Sequence, residues 1–306
     1  MRTKRFLKIL TGLIFLVSCN SNKTKTGQHT DSYNKGTIYI SVDESFKPAI
    51  EQEIKVYQSS YPEAHIIASY KSEVNCFKDL MNDSTRMIIV AKNLTPEQKL
   101  FFENKLSYTP QYDNVAFDAV DVIINRESND SIFTINDLKD ILSGKKNITA
   151  VMDGNNATST VRYLQDSLLR GTPFGKNVVA SNGSNAVIET IKQNKNAIGF
   201  VGSSWVGNED EPKQMEDIKQ IKLALVECVK CEEKNMFAKP SQSTLTFGEY
   251  PLARPLFYIL KENWTGLGTG FKNFLSYERG QLVFRRSGMV PAKMNFLNRT
   301  GKIKEQ

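Results

Sequence analysis

TIYISVDESFKPAIEQEIKVYQSS, residues 37–60, holds a complete structural unit in one line. Thr37 to Val42 is rich in β-branched and aromatic residues, the composition of a strand. Asp43-Glu44-Ser45 interrupts it with polar side chains. Pro48 then stands near a helix start, where its fixed φ and missing N–H do no harm, and an amphipathic pattern runs on to about Ser59. Strand, short polar turn and helix together predict a βα layer.

The same grammar recurs. His65–Tyr70 reads as a second strand, with a helix from about Glu73 to Met81, and Arg86–Ala91 as a third strand. Thr95-Pro96-Glu97-Gln98 opens the next helix with a capping residue, a proline at the first position and Gln three residues on. Three successive βα units imply a parallel sheet covered by helices.

AFDAVDVIIN (116–125) is a longer strand, and Thr134–Ser143 a capped helix. The pattern then restarts: strand Ile148–Met152, the polar run DGNNATST from Asp153, a helix to Leu169, a helix from about Ser184 to Lys192 and strand Ala197–Val201. ARPLFYIL (253–260) is a further strand, and FKNFLSYERGQLVFRR is helical. The expected fold is α/β in two lobes, each a mostly parallel sheet flanked by helices, with a cleft between them. Ligands in such sheets bind at the carboxyl ends of strands, where loops lead into helices. Thr158-Ser159-Thr160 sits at such a place. Its hydroxyls suit a helix cap, and the free amides behind them suit an oxyanion. Local sequence leaves both readings open.

The 306 residues suffice for two domains, and 40% hydrophobic with 24% charged residues is ordinary globular composition. Residues 1–35 hold seven Lys/Arg and one Asp, or +6 of the net +7, which leaves +1 for residues 36–306. That balance gives no support to nucleic-acid binding. Arg2, Lys4, Arg5 and Lys8 precede an apolar run, Ile9–Val17, that is too short to span a bilayer and reads as a secretory signal. Leu16-Val17-Ser18-Cys19 resembles the lipobox of bacterial lipoproteins, which implies lipidation of Cys19. The polar stretch that follows reads as a flexible tether. Cys228-Val-Lys-Cys231 has CxxC spacing without further ligands for a zinc site, so a small disulfide or two free thiols are the readings kept.

Six segments, in order, carry a resemblance: SVDESFKP (41–48), DAVDVIIN (118–125), NDLKDILSGK (136–145), NAIGFVG (196–202), YPLARPLFYIL (250–260) and ERGQLVFRRSGMVPA (278–292). Together they resemble the phosphate-binding proteins of ABC transporters, which have the type II periplasmic-binding-protein fold. The resemblance implies two hinged lobes closing on an oxyanion that is handed to a membrane permease. With signal peptide 1–18 and tether 19–35 read as above, the expected layout is first lobe 36–117, second lobe 118–250 and a return to the first lobe over 251–306. Carried over by position, the anion donors are Ser45, Ser72 and the helix start Thr158-Ser159-Thr160.

Three positions depart from that pattern. Gly154 stands where the family has an arginine, with Arg162 in the following helical turn as a substitute donor. Lys92 stands near the family's proton-accepting acid and would favour a more deprotonated or different anion. Glu73 follows Ser72, and a carboxylate repels an anion unless it points away or accepts a ligand proton. Ser181–Asn185 is a second polar helix start that could face the cleft. Trp205, Tyr250 and Trp264 read as cleft lining or packing, and Arg254 as a hinge residue or, by default, a surface ion pair.

No nucleophile elbow, Walker loop or metal-spaced cluster is present in the sequence, and Asp118 and Asp121, three apart on a strand, face opposite sides. The expectation is a non-enzymatic, cofactor-free, monomeric solute-binding lipoprotein of the cell envelope. Its ligand would be inorganic phosphate or a similar oxyanion, and its partners an ABC permease and, through the lipid, the membrane. Another oxyanion, a phosphorylated small molecule, or a sensing module of the same fold are the alternatives.

Overall fold

The structure is a computed structural model that describes residues 30–154 and 158–294. The signal segment, Cys19 and most of the tether lie outside the described residues.

In chain order the elements are β1 (Gly36–Asp43), α1 (Lys47–Ser60), β2 (Ala64–Lys71), α2 (Glu73–Leu80), β3 (Thr85–Val90), α3 (Pro96–Leu106), β4 (Gln111–Asn125), β5 (Ile132–Phe133), α4 (Ile135–Leu142), β6 (Thr149–Met152), α5 (Ser159–Tyr163), β7 (Val178–Ala180), α6 (Ser184–Gln193) and β8 (Ala197–Gly202). There follow α7 (Pro212–Asp217), β9 (Ile221–Leu223), β10 (Leu225–Glu227), β11 (Phe237–Ala238), α8 (Gln242–Thr246), β12 (Ala253–Leu260), α9 (Leu267–Ser276), α10 (Glu278–Arg286) and β13 (Val290–Pro291).

The main sheet runs β2-β1-β3-β12-β4-β8-β6-β7. Two parallel triads, β2-β1-β3 and β8-β6-β7, bracket an antiparallel pair. β12 is antiparallel to both β3 and β4, and β4 is antiparallel to β8. The βα periodicity thus reads the triads correctly. The antiparallel centre comes from β12, whose partners lie far away in sequence.

β4 has 15 residues, roughly 50 Å of extended chain, and is buried almost continuously from Val115 onward. It serves two cores. Val115 and Ala116 pack with Ile38, Phe46, Ile50 and Leu256, whereas Ala119 and Val120 pack with Leu138, Leu164, Phe200 and Leu252. The change of core therefore falls between Ala116 and Ala119 on β4 and between Leu252 and Leu256 on the return strand.

Two expectations need correction. Residues 31–35, read as tether, are tied down: Asp31 accepts from Arg86 Nη2 at 2.8 Å and from the Leu267 amide at 2.9 Å, and Ser32 pairs with Lys35. Arg86 and the free amides at the start of α9 supply partners that no local reading reveals. The helix expected from Thr158 to Leu169 is α-helical only over Ser159–Tyr163 and widens to a π-turn over Leu164–Leu168. The CxxC pair forms a disulfide, and Cys76 is free and buried. No helix among the described residues is long and apolar enough to cross a membrane.

Candidate functional site

The carboxyl ends of the parallel strands carry a concentration of buried polar side chains, among them Asp43, Ser45, Glu73, Asp153 and Thr158-Ser159-Thr160. Where β1 ends, Asp43 accepts from the Ser45 amide at 2.9 Å through Oδ1 and from the Ser159 amide at 2.9 Å through Oδ2. Where β6 ends, Asp153 accepts from Ser45 Oγ at 2.9 Å and from Thr158 Oγ1 at 2.6 Å. Ser45 Oγ and Thr160 Oγ1 are 3.0 Å apart. The two triads are therefore stitched together by hydroxyls, amides and carboxylates, and Ser45, Asp43, Ser159 and Thr160 are fully buried.

Thr158 caps α5, its Oγ1 accepting from the Val161 amide at 3.3 Å. The cap and the cluster are one structure. The same hydroxyl that caps the start of the helix also donates to Asp153.

Arg254 lies at the centre. It is 1% exposed, contrary to the surface ion pair expected by default. Its Nε and Nη2 donate to Asp118 Oδ2 at 3.0 and 2.8 Å, and its Nη1 donates to Ser159 Oγ at 3.0 Å and Thr160 Oγ1 at 3.1 Å. The guanidinium carbon stands 4.7 Å from the Phe46 ring centroid. Burial works against the charge, but Asp118 and Asp43 outweigh it and the guanidinium holds its proton more tightly than usual. Gly202 allows this approach, since a Cβ there would meet the Ser45 carbonyl at 2.8 Å and Arg254 Nη2 at 3.2 Å.

The remaining expected residues divide. Ser72 Oγ is buried with no hydrogen-bond partner among the described residues. Arg162 does not stand in for a clamp in this geometry: its Nε and Nη2 donate to Glu73, which also accepts from the Ala91 amide at 2.9 Å. Glu73 is thereby ion-paired with Arg162 rather than pointing away. Lys92 lies over the Phe77 ring, 5.1 Å from its centroid. The polar start at Ser181–Asn185 does take part, the Ser184 amide and hydroxyl donating to Glu44 at 3.0 and 2.9 Å. Trp205 Nε1 donates to the Ser45 carbonyl at 3.1 Å, whereas Tyr250 is core, its hydroxyl donating to the Val120 carbonyl. Trp264 stacks near Arg86.

Asp118 and Asp121 face opposite sides of β4, as the strand spacing requires, yet both reach Ser203. Its amide donates to Asp118 at 3.0 Å and its hydroxyl to Asp121 at 2.8 Å. Sequence reasoning passed over Asp43, Glu44 and Asp153 as site residues and weighed Asp118 only as half of a pair with Asp121. For the first three the signal available was an acid at or just past the end of a strand and shortly before a helix; Asp118 lies within β4 and carries no such mark.

Electrostatically the cluster is crowded with acids. Burial, and then the neighbouring Glu73 and Asp153, push Asp43 up to about 7. Burial and Asp153 push Glu44 up to about 7 as well. No group of three or more His, Cys, Asp or Glu among the described residues is placed to hold a metal ion. A groove of about 1120 Å³ lined in part by Arg126, Lys222 and Arg279 touches the cluster only at Asp121 and Ser203. The convergence of donors, not the size of the depression, locates the site at Ser45, Ser159 and Arg254.

Known proteins share this fold. The phosphate-binding protein PstS of Staphylococcus epidermidis is 20% identical over 97% of this chain and 91% of its own length. PstS 2 of Streptococcus pneumoniae is 27% identical over 39% of this chain and 34% of its own. A Clostridium perfringens substrate-binding protein solved with bound phosphate superposes with a TM-score of 0.69 at 20% identity, covering 84% of this chain and all of that one. An ABC-type phosphate transport receptor from Vibrio cholerae gives a TM-score of 0.61 at 16% identity, covering 83% and 99%. The profile of the PBP superfamily domain matches residues 27–278, and the chain belongs to that superfamily, with the type II periplasmic-binding-protein fold.

Proposed function

We propose that this chain is the solute-binding component of an ABC importer, capturing a small oxyanion, phosphate foremost, outside the cytoplasm. One observation carries the reading: amides and hydroxyls from both parallel triads, at Ser45 and at Thr158-Ser159-Thr160, converge with the buried Arg254 guanidinium. Helix-terminal amides, hydroxyls and one arginine are the donor set that replaces the hydration of an oxyanion. The Ser72 hydroxyl, buried without a partner among the described residues, is assigned as a further donor for it. The relatives named above are phosphate-binding and transport-receptor proteins, which supports phosphate as the first ligand to test.

On this reading the protein performs no chemistry. The segments 36–117 and 251–306 form one lobe and 118–250 the other, and the cleft closes because each lobe supplies donors that the other lacks. Cys19 carries the lipid that keeps the monomer at the membrane beside its permease. Arg162, held by Glu73, and Lys92, over the Phe77 ring, are the further cations that this reading assigns to the ligand.

A second reading has an observation of its own. Asp43 and Asp153 already satisfy the donors, as they would in a sensing or interaction module of this fold that has abandoned transport. Thermal-shift and calorimetric titrations with phosphate, sulfate, molybdate and phospho-sugars separate the two. Saturable binding of one of these supports the importer reading, and the absence of any shift from the folded protein overturns it. Labelling with a radioactive fatty acid, lost in Cys19→Ala, tests the anchor.

A further inference from the structure

Asp43 caps the helical turn Glu44–Phe46 after β1, accepting from the Ser45 amide, and the same carboxylate also accepts from the amide of Ser159, the first residue of α5 after β6. Two convergent backbone amides from different triads are what an oxyanion would use, and Asp43 gives each of them one carboxylate oxygen at 2.9 Å. Asp153 does the same for the hydroxyls of Ser45 and Thr158. The chain thus supplies its own anion to its own anion site.

We infer that Asp43 is an internal competitor that sets both the affinity and the pH range of this site: an incoming oxyanion enters by displacing its carboxylate from the Ser45 and Ser159 amides. This rests on the oxyanion reading above. Displacement leaves Asp43 buried beside a second anion, so the group must take up a proton, from solvent or from the ligand itself. The surroundings set how readily. Glu44 adjoins it in the chain, α2 brings Glu73 and the thiol of Cys76, and Asp153 follows β6. Arg254 on β12 is the facing cation, itself shared with Asp118 on β4, and Arg162 on α5 is engaged by Glu73. Three nearby acids against one shared and one engaged cation favour the protonated form. The direction is also that of burial, which holds Asp43 near 7. Binding therefore weakens as pH rises, by up to roughly tenfold per unit once the free protein has Asp43 ionised.

The experiment is calorimetric titration of the full chain with inorganic phosphate from pH 6 to 9, for the wild type and for Asp43→Asn. Asparagine is uncharged and can accept from only one of the two amides, so the site opens without a proton. Taking the ratio of the two proteins cancels the titration of phosphate. The expected result is a variant that binds tenfold or more tightly at pH 8, with the gap narrowing toward pH 6. Asp43→Ser, which keeps an oxygen for the Ser45 amide, provides a second background should asparagine impair folding as seen by circular dichroism. A wild type that binds phosphate with the same affinity and pH slope as the variants overturns this inference and leaves the oxyanion reading intact. Binding by the variants alone supports it. Binding by no folded protein at any pH overturns both.

Discussion

Arg254 and Asp118 are direct cross-strand partners in the β12–β4 ladder, at the level where both strands pass from one core to the other. The pair is buried, Arg254 at 1% exposure and Asp118 at 0%. It therefore ties the site to the crossover between the cores, because the third guanidinium nitrogen reaches Ser159 and Thr160.

Removing the cation alone strands a buried carboxylate. Arg254→Met is expected to cost about 3–5 kcal/mol in urea unfolding. Asp118→Asn in the same chain recovers most of that loss, since asparagine still accepts from the Ser203 amide. A double variant as unstable as the single one would remove the argument.

Glu53 is a different case. It is fully buried on α1 and both carboxylate oxygens lack partners among the described residues. Burial holds its carboxyl well above the usual 4.5, so the folded chain keeps a proton that the unfolded chain releases. The folded state binding more protons means that this contribution to stability is present below pH 4.5 and is lost as pH rises. Glu53→Met should stabilise by about 1–3 kcal/mol at pH 8 and by less at pH 4, as read from urea midpoints. A gain independent of pH would contradict the assignment.

Trp205 offers an optical reading of the site through its hydrogen bond to the Ser45 carbonyl. Addition of phosphate should change tryptophan emission, and the change should vanish in Trp205→Phe while persisting in Trp264→Phe. A signal that survives in Trp205→Phe would place the response elsewhere.

The Cys228–Cys231 bridge closes a short loop between β10 and β11, strands of the small sheet β11-β10-β5. For so short a ring the chain-entropy effect is about 2 kcal/mol. Replacing both cysteines with serine is expected to lower the melting temperature without altering phosphate affinity, because that sheet shares no strand with the one that carries the site. A loss of affinity equal in scale to the loss of stability would show the two to be coupled.

Legibility in the sequence follows the distance between partners. Thr95 and Gln98 announce a capping box within four residues, and both reciprocal bonds form. The βα units were readable for the same reason, as each needs only its own periodicity. Arg254 reads as an ordinary surface cation because its partners lie 94 to 136 positions earlier. The hydroxyls of Ser45 and Thr158-Ser159-Thr160 stood out as helix starts. The acids that hold them did not, since an acid at a strand end has no local pattern until the facing amide is known. Nothing in LQDSL, residues 164–168, marks the π-turn, which depends on how the helix meets its neighbours.

The place of β12 also bears on how the molecule is made. The strand enters between β3 and β4, both synthesised well before it. Until Ala253–Leu260 has emerged, the inner edges of those two strands remain open, and Asp118 has no cation beside it. The sheet's centre therefore cannot close until that late strand is available, and a chain halted before residue 253 would present the unpaired inner edges of β3 and β4 to any chaperone or to another copy of itself.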